Sequence, residues 1–96
     1  MPDYVRVVTF DADEAALDAL VSEINSADGA PEGVPAKRIT VLADRPAGKV
    51  VVAIRFGSEE DLRKGGEALE SMSPPDVGSI RRVSVDQYKV VAERQV

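Results

Sequence analysis

The spacing of apolar residues along this chain switches four times between a period of two and a helical period, which restricts the fold more than any single residue does. Residues 4–10, Tyr-Val-Arg-Val-Val-Thr-Phe, are β-branched and aromatic and read as a strand. Leu17, Leu20, Val21 and Ile24 then recur at i, i+3, i+4 and i+7, one face of a helix. Asp11 with Glu14 three residues on predicts a capping box at its start, and Asp28-Gly29 a stop near Ala27. Residues 29–36 hold two prolines and two glycines and form a loop. Ile39, Val41 and Ala43 alternate in a second strand over 37–43. Pro46 and Gly48 mark a turn over 44–48, and Lys49–Phe56 is apolar enough to be a central strand covered on both faces. Ser58 caps a second helix whose first turn is acidic, with Leu62, Leu69 and Met72 on one side. Ser73-Pro74-Pro75-Asp76 stops it, and an extended stretch follows over 79–93. Gly65-Gly66 interrupts that helix at about 1 kcal/mol per glycine relative to alanine, which close approach of helix to sheet would explain.

The order β-α-β-β-α-β, with right-handed crossovers and one hairpin, predicts a single α+β domain over residues 1–96. It is the ferredoxin-like plan: a four-stranded antiparallel sheet in spatial order 4-1-3-2, with both helices on one face. The other face needs a cover. Alternation assigns Val5, Val7, Ile39, Val41, Val50, Val52, Ile54, Val83 and Val85 to the helix side. It assigns Tyr4, Arg6, Val8, Phe10, Thr40, Leu42, Val51, Ala53 and Arg55 to the open side. That second set is too apolar for free solvent, and a chain of 96 residues has nothing left to lay over it. A second copy is the expected cover.

The last stretch changes phase. Val83 and Val85 point one way; Tyr88, Val90 and Ala92 point the other. With the break placed at Asp86-Gln87, residues 80–85 complete the core sheet and residues 86–96 form an arm, its 88–92 part reaching the partner's sheet edge. The alternative is one bulged strand kept within a subunit.

Composition narrows the function. The net charge is −5, and basic residues form only pairs such as Lys37-Arg38, Arg63-Lys64 and Arg81-Arg82. Phosphate backbones and anionic membranes would be repelled, so neither nucleic acid nor membrane is an expected partner. With no cysteine and no histidine, there is no disulfide framework, thiolate nucleophile or imidazole metal site. No metal and no cofactor are expected. The first residues show no signal-peptide pattern, and the longest apolar run, 50–54, is too short to span a bilayer, so the expected location is cytoplasmic. The excess of eight arginines over four lysines fits a GC-rich bacterial genome.

A βαββαβ unit of this length, ending in Val-Ser-Val-Asp-Gln-Tyr-Lys-Val-Val-Ala-Glu (83–93) after Met-Ser-Pro-Pro (72–75), resembles the dimeric α+β-barrel superfamily. Within it, the chain is most similar to antibiotic-biosynthesis-monooxygenase-like proteins. The resemblance covers nearly the whole chain at the level of topology and terminal pattern. It implies two sheets packed face to face, C-terminal segments crossing between subunits, and a homodimer. It also implies a relationship to cofactor-free oxygenases of polycyclic phenols and to haem-degrading oxygenases. The haem-degrading members use His, Asn and Trp; this chain has no His or Trp, and its one asparagine, Asn25, ends the first helix. Other users of the topology fit worse: Lys49–Phe56 lacks the stacking aromatics of an RNA-recognition motif, and there is no cysteine pair for a heavy-metal domain. Asp11-Ala12-Asp13-Glu14, where an acylphosphatase holds its phosphate, would repel one.

Arg6, Arg55 and Arg82 lie on adjacent strands and, in this register, converge on the open face, with Tyr4 or Tyr88 supplying a hydroxyl. They form a candidate site for a small anionic or aromatic molecule between two sheets. The competing reading, which is preferred, pairs these arginines with Asp86, Glu93 or carboxylates of a partner. The acidic runs at 11–14 and 59–61 cap helices, and Ser22, Ser58 and Ser84 have no histidine to activate them. The expected function is a homodimer that is non-catalytic or binds a small ligand. The alternatives are a cofactor-independent monooxygenase-like enzyme acting on an aromatic metabolite, and a structural or regulatory partner of another enzyme.

Overall fold

The computed structural model describes residues 2–72 and 78–96. The stop expected at Ser73-Pro74-Pro75-Asp76 lies outside them. Six elements follow the predicted order: β1 (Tyr4–Ala12), α1 (Glu14–Ser26), β2 (Ala36–Asp44), β3 (Lys49–Phe56), α2 (Glu59–Glu70) and β4 (Ile80–Lys89). The strands form one antiparallel sheet in the order β2-β3-β1-β4, the expected 4-1-3-2 read from its other edge. This is the ferredoxin-like α+β plan.

Local chemistry sets the boundaries. Asp13, not Asp11, caps α1: its carboxylate accepts from the Ala16 N–H at 2.9 Å, and also from the Ser79 N–H at 2.9 Å. Asp11 remains in β1 because β3 and β4 still flank it there, pairing it with Lys49 and Arg81. Ser58 caps α2 as expected, accepting from the Asp61 N–H at 3.1 Å. Gly48 takes a φ of 67° in the β2–β3 turn, a left-handed conformation that glycine adopts without strain.

Both helices lie on one face of the sheet. Val52, Ile54 and Phe56 of β3 are buried with Leu62 of α2 and Val34 of the long loop; Leu20 of α1 packs against the same cluster. Leu17 and Ala16 of α1 and Val8 of β1 are also buried. The covering of β3 is one-sided, against expectation: Val50, Val52, Ile54 and Phe56 are buried, while the alternate residues Val51, Ala53 and Arg55 are only half-buried.

Two registers depart from expectation. In β1 the helix-side residues are Tyr4, Arg6, Val8 and Phe10, which pair with Phe56, Ile54, Val52 and Val50. Val5, Val7 and Thr9 take the open face. The sequence reading put the two valines inside and the arginine outside; the structure reverses them, because Arg6 meets a carboxylate on the helix side. In β4 the irregularity lies between Arg82, paired with Phe10, and Ser84, paired with Thr9, so Val83 is the extra residue. The strand then runs unbroken through Asp86-Gln87 to Lys89, pairing with β1 of its own chain as far as Tyr4, and the Val90 N–H donates to the Asp3 carbonyl at 2.8 Å. The last core strand therefore ends at Lys89 and not at Val85. Residues 86–89 do not begin a free arm. The apparent phase change from Val85 to Tyr88 is ordinary alternation, since three residues of strand reverse the face.

Candidate functional site

The five residues predicted to share a site are divided by the sheet. Tyr4, Arg6 and Arg82 belong to the helix side, Arg55 and Tyr88 to the open side. Tyr4 packs half-buried against the core cluster, and Tyr88 is exposed.

On the helix side, Arg6 is 4% exposed, the one charged residue among the buried ones described. A buried guanidinium is costly unless it is paired and hydrogen-bonded. Its Nη2 donates to Glu70 Oε1 at 2.8 Å, and Arg82 Nη1 donates to the same oxygen at 2.8 Å. These two arginines, Arg6 first, hold the Glu70 carboxyl below the ordinary glutamate range. Arg6 Nε is buried without a hydrogen-bond partner among the described residues. Beside it, between α2 and β4, runs a groove of about 830 Å³ whose lining includes Arg6, Leu62, Gly66, Glu70, Val85 and Gln87.

The sequence reading missed Glu70, and a signal was available. Glu70 is the last residue of α2, where the helix dipole disfavours an acid, and the final turn has no basic residue to offset it. That signal is weak for a half-exposed acid, and it is visible only once the helix end is known.

On the open side, Arg55 behaves as the competing reading expected. Its Nη1 and Nη2 donate to the two Glu93 carboxylate oxygens at 2.6 and 2.8 Å, and its Nε to Asp3 Oδ2 at 2.6 Å. Glu93, then Asp3, raise its pKa further. Asp3 also accepts from Lys37 Nζ, and its carboxyl is lowered by Lys37 first and Arg55 second. Asp11 is lowered by Arg81 at the far end of the same face. Between these charged ends lies an apolar band of Val5, Val7, Val51 and Ala53, flanked by Leu42 (56% exposed) and Tyr88 (56%).

No group of three or more acidic side chains among the described residues could hold a metal ion, and no helix among them is long and apolar enough to cross a membrane. No family model matches the chain, and no curated protein and no solved structure matches it.

Proposed function

We propose that this protein works as a homodimer stacked through the open faces of its two sheets, and that it binds a small molecule and does not catalyse a reaction. The observation carrying this reading is the apolar band on the open face. Four strands about 4.8 Å apart and some eight residues long present a flat area of roughly 500 Å². The whole face, charged ends included, is thus of the order of the ~800 Å² each partner buries in a standard interface, with the apolar band at its centre.

Charge supports the same pairing. At both ends of the band most ionic side chains are matched within the chain, Arg55 with Asp3 and Glu93, Asp11 with Arg81, which lowers the cost of stacking them. Asp86 on the β4 edge and Arg38 on the β2 edge have no ion pair among the described residues. A two-fold axis along the strands sets the β4 edge of one subunit over the β2 edge of the other, bringing these opposite charges together. An interface of this kind is isologous, as in most soluble homodimers.

The carboxylates support a binding role over acid–base catalysis. Asp3, Asp11, Glu70 and Glu93 are all shifted downward by cationic neighbours, away from the near-neutral range where a general acid or base is effective. The test is Val51→Asp, which puts a charge in the middle of the band. Sedimentation velocity should show the parent as a dimer and the variant as a folded monomer. Equal sedimentation of the two would contradict the proposal.

A further inference from the structure

Two glycines adjoin in the middle of α2, and packing constrains the first far more than the second. A Cβ added at Gly65 would overlap the Phe56 ring, so helix and sheet are too close there for any side chain. At Gly66 the nearest atoms to an added Cβ are Arg6 Nη1 at 3.0 Å and Gln87 Nε2 at 3.8 Å, both at the ends of side chains. Alanine is the better helix former, yet this position keeps a hydrogen. The helix backbone at Gly66 therefore lines the groove between α2 and β4 with two nitrogen donors close against it.

The surrounding charges define what could enter. Arg6, more than nine-tenths buried, lines the groove with its Nε unpartnered among the described residues. One carboxylate, Glu70, is shared by two guanidinium groups, so the cluster keeps a positive charge. The rim is acidic, but Glu67 is paired with Arg63 and Glu60 with Lys64. Leu62 and Val85 supply apolar wall.

We propose that this groove is a binding site for a small monocarboxylate. Its carboxylate accepts from Arg6 Nη1 and the Gln87 amide over Gly66, and its apolar body lies along Leu62 and Val85. A charge-assisted bond to a buried guanidinium supplies the anchor. Glu59 at the rim, without an ion pair among the described residues, disfavours ligands of higher negative charge, such as phosphates. The site names the ligand class for the binding role proposed above. It lies on the opposite side of the sheet from the dimer face, so either can fail without the other.

The experiment titrates the isotope-labelled protein with benzoate and, separately, with inorganic phosphate, following backbone amide resonances. Benzoate should give saturable shifts at Gly66, Val85 and Gln87, and phosphate should not. Arg6→Gln and Gly66→Ala should each weaken benzoate about tenfold or more, the loss expected for one charged hydrogen bond. Arg6→Lys should recover part of the affinity. If Arg6→Gln does not fold, Gly66→Ala carries the test, since its methyl fills the gap against movable side-chain ends. Absence of saturable shifts at the highest soluble benzoate concentration overturns the proposal. So does affinity unchanged in Gly66→Ala, or equal binding of phosphate.

Discussion

The two faces of this sheet are built from the same kinds of residue and are completed differently. On the helix side, β-branched and aromatic residues of β1 and β3 meet Leu17, Leu20 and Leu62, and the chain closes its own core. That side even accommodates a charge, because Glu70 is brought to Arg6 from the end of α2. On the open side, Val5, Val7, Val51 and Ala53 are only half-buried, with no helix of the chain laid over them. The difference teaches that burial depends on what the topology brings opposite a residue and not on its hydrophobicity alone. Arg6 is buried and Leu42 exposed for that reason.

The sharpest way to break this contrast is to truncate a side chain on each face. Phe56→Ala empties a fully buried site and should cost about 3–5 kcal/mol, a large part of the stability of a domain this small. Leu42→Ala should cost under about 0.5 kcal/mol in an isolated subunit, as for an ordinary surface change. If a second subunit covers Leu42, the cost rises and depends on protein concentration. Denaturant unfolding at two concentrations separates these outcomes, and equal costs at Phe56 and Leu42 in dilute protein would erase the distinction between the faces.

The paired glycines sharpen it within the helix side. Gly65→Ala should destabilise by about 1–3 kcal/mol through overpacking against Phe56. Gly66→Ala should remain within about 1 kcal/mol of the parent, because gained helix propensity offsets a small displacement of Arg6. Thermal unfolding of both variants checks the order, which reverses if the groove is as tightly packed as the core.

The smallest expected effect is in acid. The Glu70 carboxyl is lowered on folding by Arg6 and Arg82, so the unfolded chain takes up its proton first as pH falls. Its stabilising contribution is fully present above the ordinary glutamate pKa and is lost as pH drops through the lowered folded value. Glu70→Gln should flatten the fall of stability in that acid window and leave the slope at neutral pH unchanged. An unchanged acid slope would mean that the shared ion pair does not form in solution.

The fold was legible in the sequence because its signals are periodic and local. The helical spacing of Leu17, Leu20, Val21 and Ile24, the Ser58 cap and the limits of Lys49–Phe56 needed no knowledge of the rest of the chain. The site was not legible, because strand phase was inferred from hydrophobicity. An arginine among valines was placed on the open face, and its partner Glu70, 64 residues away, reads as one more surface acid. In β4, alternation alone could not say whether the extra residue was Val83 or lay near Asp86, since that depends on pairing with β1. Arg55 was the exception. Its pairing with Glu93 was among the expected outcomes, because an arginine on a sheet face calls for a carboxylate and Glu93 was one of the few named.

The central claim of the proposed function is that the valine band is covered by a second copy of the chain. Light scattering on the purified protein, over a wide range of concentration, measures this directly. The expected mass is twice the 10.3 kDa of one chain. A single 10.3 kDa species persisting to high concentration would contradict it.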